Sequence, residues 1–162
     1  MSSLYFEDLS PGQSFTSNSR TVTEADVVGF AGLSGDFNPI HMDTESTKDG
    51  MYGQRVAHGI LGISIATGLL DRMGLFKESM AAMLSIDEWR FVKPIFIGDT
   101  IRLQVDIEST RLTSSGRTGV VRRRMQLSKQ DGSLVQEGII TVLVKCRSTQ
   151  TAPTGSREGS LT

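Results

Sequence analysis

The chain has a single cysteine, Cys146, so it cannot form an intrachain disulfide. It also lacks any surplus of charge, with 17 Lys and Arg against 18 Asp and Glu. That balance excludes the broad electrostatic field a nucleic acid or an anionic membrane surface would need, and neither is an expected partner. Long hydrophobic runs are missing too: the most apolar stretch, 59–70, is broken by Gly62, Ser64, Thr67 and Gly68 and is too short to span a bilayer. The opening Met-Ser-Ser-Leu-Tyr-Phe-Glu has neither the basic nor the apolar region of a secretory signal. With Cys146 unpaired, the expected setting is cytoplasmic and reducing.

What is present suits one compact domain, since 162 residues fall within the usual size of a single core. The domain is expected to span 1–147. Beyond it, 148–162 is a run of Ser, Thr, Gly, Pro and charge with almost nothing to bury, which predicts a disordered tail.

Residues 14–22 read as a short strand. Thr23 followed by Glu24 and Asp26 then supplies an N-cap and an acidic first turn for a helix from 24 to about 33. Gly35, Pro39, Gly50 and Gly53 keep 33–56 from forming any long regular element, leaving a long loop of the kind that is usually functional or disordered. From 59 to 73 almost every position is apolar or small, and Gly74 offers a stop, so the pattern predicts a helix buried on all sides.

The remainder predicts strands. Ile101, Leu103, Val105 and Ile107 alternate with Arg102, Gln104, Asp106 and Glu108, the period of a sheet with one wet face. Further strands are expected at about 83–91, 118–129 and 134–146, with turns at Ser114-Ser115-Gly116 and Asp131-Gly132. A helix without a polar side needs cover, so the expected fold class is α+β: a curved antiparallel sheet wrapped around a long central helix. Gly62, Ser64, Ala66 and Gly68 would let sheet and helix backbone approach closely.

The only two histidines, His41 and His58, bracket the Gly-containing loop that leads into the buried helix. Within Ser34-Gly35-Asp36-Phe37-Asn38-Pro39-Ile40-His41, Asn38-Pro39 favours a turn that would bring Asp36 and His41 to one pocket. A carboxylate and an imidazole there can hold a water and move its proton. Gly59 stands where the helix begins, so its N–H lacks an intrahelical acceptor and can receive charge from a carbonyl oxygen.

That octapeptide, followed by Ala57-His58-Gly59-Ile60-Leu61, resembles the signature of MaoC-like (R)-specific enoyl-CoA hydratases and dehydratases. The similarity runs from about Tyr5 to Cys146 and includes Phe91-Val92-Lys93-Pro94-Ile95-Phe96-Ile97-Gly98-Asp99-Thr100. It departs at Thr47, where the family often has Ala or Ser.

The resemblance implies the HotDog fold and a hydro-lyase acting on acyl-CoA thioesters, with neither metal nor bound cofactor. Asp36 and His41 would be the catalytic pair, Asn38 would hold the loop and Gly59 would bind the thioester oxygen. Thr67 and Leu70 would shape the acyl pocket. The family is commonly homodimeric, with acyl-CoA entering along the subunit interface. Dehydration of 3-hydroxyacyl groups on acyl carrier protein is a close variant, and thioester hydrolysis is an alternative on the same fold.

Plainer readings stand beside these. Asp36 and His41 could be a structural hydrogen bond in a buried loop. Metal ligation lacks a second cluster of ligands. His58 reads as a residue shaping the helix start, with a ligand or base role as the alternative. Ser34 does not sit in Gly-x-Ser-x-Gly and reads as a loop residue near the site. Arg122-Arg123-Arg124 reads most simply as a solvated strand face, with Arg123 opposite its neighbours; contact with coenzyme A phosphates is the alternative.

Overall fold

The computed structural model describes residues 2–147. The expected tail at 148–162 lies outside these described residues.

The architecture is a six-stranded antiparallel sheet curved around one helix. Its strands are β1 (Ser14–Thr16), β2 (Arg20–Thr21), β3 (Met80–Phe91), β4 (Thr100–Leu112), β5 (Thr118–Lys129) and β6 (Leu134–Lys145). They run in the order β1-β4-β5-β6-β3, with β2 also paired to β4. The alternation read from 101–108 sets the packing: Ile101, Leu103, Val105 and Ile107 are buried and the residues between them are not.

What was expected as one strand over 14–22 is two. At the break, the buried Ser17 takes over the ladder with its side chain, its Oγ accepting from the Leu103 N–H at 2.9 Å while its own N–H donates to the Leu103 carbonyl. The Ser17 and Leu103 amides are thereby both paired at the break.

Helix α1 (Glu24–Ser34) begins as its sequence predicts. Thr23 accepts from the Asp26 N–H, and the Asp26 carboxylate accepts in return from the Thr23 N–H. It ends at Gly35, whose φ of 78° suits a residue without a Cβ. In the loop that follows, two single-turn helices form, α2 (Pro39–Met42) and α3 (Thr44–Thr47), capped by the side chains of Asn38 and Asp43. Thr47 is buried and donates its hydroxyl to the carbonyls of Asp43 and Thr44. Arg55 ties the end of this loop to α1 through a two-pronged contact with Glu24, at 2.8 and 2.6 Å.

Helix α4 (Gly59–Arg72) is the central helix. Leu61, Ile65, Ala66, Leu69 and Leu70 pack against the sheet. Its cover is incomplete: Ile60 is 56% exposed, and Ser64 and Gly68 face solvent at the same four-residue spacing. Because that stripe is apolar or small, its polarity gives no sign that it lies open. Of the small residues expected to admit the sheet, Gly62 does so, since a Cβ there would overlap the Gln136 amide, whereas Gly68 has open space beside it.

Parity also separates the three arginines of β5. Arg122 and Arg124 point outward to Glu108, but Arg123 is buried on the core side between Val121 and Met125. The expectation of a solvated strand face fails for Arg123, because the inward parity of its strand outweighs the polarity of one residue.

Candidate active site

The segment between α1 and α4 folds back on itself so that both histidines meet. The turn is set by side chains reaching two residues onward: the Ser34 hydroxyl accepts from the Asp36 N–H, the Asp36 carboxylate from the Asn38 N–H, and the Asn38 side-chain oxygen from the Ile40 N–H. Pro39, with its fixed φ and no N–H to satisfy, starts α2 directly after the Asn38 cap. One short helical turn later comes His41.

The His41 ring is aimed by backbone. Its Nδ1 lies 2.8 Å from the Val56 carbonyl, which can only accept, so Nδ1 carries the hydrogen and Nε2 keeps the lone pair. That Nε2 stands 3.9 Å from Asp36 Oδ2. The separation is too long for a direct hydrogen bond, yet one water can bridge it with bonds of ordinary length. The two groups differ in environment, with the His41 side chain 13% exposed and the Asp36 side chain 51% exposed.

His58 lies beneath the pair. It is 3% exposed, stacks on His41 with ring centroids 3.8 Å apart and touches Phe30 on its other side. Its Nε2 donates to the Asp36 backbone carbonyl at 2.9 Å, so it holds the carboxylate-bearing turn by its main chain. Its Nδ1 is buried with no hydrogen-bond partner among the described residues.

Asp36, His41 and His58 each bring a potential ligand atom within 4.8 Å of the others. Metal ligation nonetheless fits poorly. Two ring nitrogens are already turned to carbonyls, and the lone pairs of near-parallel stacked rings, 27° apart, do not converge on a point about 2.0–2.1 Å from each.

Gly59 opens α4 directly after His58, with its N–H outside the helical ladder. Its carbonyl accepts from the Gln136 side chain at 3.1 Å, and Gln136 accepts in turn from the Trp89 indole. The Phe91 ring closes on Gly59 so tightly that a Cβ would stand 2.8 Å from Cε1. These anchors fix the helix start, and nothing in the local sequence pointed to Val56, Gln136 or Trp89, since carbonyl and cross-strand partners depend on tertiary pairing.

The expected acyl-pocket residues lie further along α4, where half-buried Thr67 and buried Leu70 line one cavity. A wider cavity of about 850 Å³, walled by Leu4, Phe15, Leu69 and Arg72, sits at the far end of α4 from Asp36 and His41.

The family model described as "MaoC like domain" matches residues 7–129. The chain belongs to the MaoC-like domain family. It is 32% identical over 143 residues to an (R)-specific enoyl-CoA hydratase of Rhodospirillum rubrum, covering 88% of this chain and 93% of that protein. It is 41% identical over 101 residues to Protein MaoC of Klebsiella aerogenes, a stretch that is 62% of this chain but 30% of that longer protein.

Among solved structures, a monoamine oxidase regulatory protein from Archaeoglobus fulgius superposes with a TM-score of 0.82 at 34% identity, over 88% of this chain and 95% of that one. A Mycobacterium tuberculosis protein with a double hotdog fold superposes with a TM-score of 0.78 at 23% identity, over 96% of this chain and 47% of that one. The fold is the HotDog fold, as the family resemblance implied, and the curved sheet around a central helix is the architecture that the strand and helix pattern predicted. Other relatives carry dehydratase names, so the MaoC-like domain here is a hydro-lyase domain. No helix among the described residues is long and apolar enough to cross a membrane.

Proposed function

We propose that this protein is an (R)-specific enoyl-CoA hydratase, adding water reversibly and syn across a trans-2-enoyl-CoA to give the (R)-3-hydroxyacyl-CoA. The observation that carries the reading is the 3.9 Å separation of His41 Nε2 and Asp36 Oδ2, with the acceptor side of the imidazole turned to the carboxylate.

In this reading the pair grips one water and takes its proton as the water oxygen bonds to C3. The electrons of the double bond move toward the thioester oxygen, which the Gly59 N–H steadies as charge builds there. The pair then returns a proton to C2 from the same side, so the product carries both elements of water and the site is restored. Ser34, Asn38 and His58 keep the turn in shape. Incubation with crotonyl-CoA should consume the enoyl absorbance and yield (R)-3-hydroxybutyryl-CoA; the (S) product, or release of free coenzyme A thiol, would reject the reading.

The active form is a homodimer at least, in a cytoplasmic setting that suits the free Cys146. Support comes from the edge strand β3, which exposes Met83, Leu84 and Ile86, and from Ile60 and Phe91, which are exposed beside Gly59. A single chain leaves the half-exposed Asp36 carboxylate open to water, and a second copy across β3 would enclose the reacting atoms. Light scattering at micromolar concentration is expected to return twice the 17.6 kDa of the chain, and a monomeric mass for active enzyme would remove this part of the proposal.

A further inference from the structure

Gly59, Ile63, Thr67 and Leu70 follow one another along α4 at spacings of four, four and three, which puts them on one stripe of the helix. β3 runs beside that stripe. Its Phe91 lies against Gly59, and its Met83 joins Thr67 and Leu70 around a cavity of about 210 Å³. Phe76, Met80, Val142 and Arg123 also line it.

Arg123 is the anomaly in this cavity. It is 1% exposed, and its Nε and Nη1 have no hydrogen-bond partner among the described residues. Its cross-strand neighbours are Ile107 on β4 and Ile140 on β6, which offer no countercharge, and its guanidinium carbon sits 5.4 Å from the Phe76 ring centroid. Burial pulls its pKa down to about 10, which still leaves the group charged at neutral pH. Two other charged residues reach the cavity, Asp71 and Lys77, both exposed and of opposite sign. Neither is bonded to the Arg123 Nε or Nη1, which stay without a partner among the described residues.

An isolated buried cation is costly unless something pairs with it. We propose that Arg123 recognises a carboxylate at the far end of the acyl chain, making ω-carboxylated enoyl thioesters the preferred substrate class. This rests on the hydratase reading for one point only, the thioester oxygen at the Gly59 amide. Thr67 lies about 12 Å along the helix from Gly59, within the reach of a medium-length acyl chain. At the end, the planar donor fork of an arginine matches a carboxylate in geometry as well as charge.

The test compares kcat/KM for 2-decenedioyl-CoA with that for its ω-methyl ester, in the wild type and in Arg123→Met and Arg123→Lys. The wild type is expected to favour the free carboxylate by about tenfold or more, the size of one charge-assisted hydrogen bond. Arg123→Met should abolish or invert that ratio, and Arg123→Lys should keep part of it. A wild-type ratio of one or below overturns the proposal even if neither variant folds, as does a ratio that Arg123→Met leaves unchanged.

Calorimetry with the saturated decanedioyl-CoA and its methyl ester separates the two readings. If neither crotonyl-CoA nor 2-decenedioyl-CoA is hydrated but the free carboxylate binds more tightly, the hydratase reading fails and carboxylate recognition stands. If crotonyl-CoA is hydrated and the two ligands bind alike, the reverse holds.

Discussion

Asp36→Asn and His41→Ala are each expected to lower the hydration of crotonyl-CoA by about a hundredfold or more, the lower end of what a positioned acid or base contributes. Asparagine keeps an oxygen that can accept from the Asn38 N–H, so the turn at 36–38 should persist while the proton acceptor is lost. The His41 change also removes the stack on His58 and the donor to the Val56 carbonyl, so its melting temperature should fall as well. Because the two groups act on one water, the double variant should lose little beyond the more damaging single one. Loss of enoyl absorbance measures the rate, and circular dichroism establishes that each variant is folded. Near-normal rates in folded protein would end the assignment of this pair.

The second large effect concerns an atom that ordinary substitutions leave in place. Gly59→Pro deletes the N–H, and the position tolerates proline because it is the first of α4, where no intrahelical bond is lost. His58, the residue before it, already has φ −57° and ψ 135°, the extended conformation that precedes proline comfortably. Gly59→Ala is the matched control, since it places a Cβ against the same Phe91 ring but keeps the amide. Phe91 is 55% exposed and has room to swing aside. If the amide receives charge in the transition state, Gly59→Pro should fall below Gly59→Ala by about 10²- to 10³-fold in kcat, the loss typical of one such donor. Equal rates in the two variants would show that the oxygen is held elsewhere.

Much of the fold was legible because the governing signals are local. Thr23 with Asp26, the strict alternation of 101–108 and the sequence Asn38-Pro39 each specify a cap, a strand and a turn within a few residues, and each is found where expected. The proximity of Asp36 and His41 follows from that turn, so it too could be read in advance. The parts that could not be read depend on distant partners. The break at Ser17 needs Leu103, the aim of His41 needs Val56, and the open stripe of α4 depends on how far the sheet curves. Arg123 is the instructive intermediate: strand parity placed it opposite its neighbours, but three consecutive arginines read as a wet surface until the packing of β5 was known.

One nitrogen of each imidazole is turned by a main-chain carbonyl, Val56 for His41 and Asp36 for His58, while the two rings brace each other by stacking. Every amino acid supplies the same carbonyl. The aim of His41 is thereby insulated from drift at position 56, where a new side chain would disturb packing without altering the acceptor.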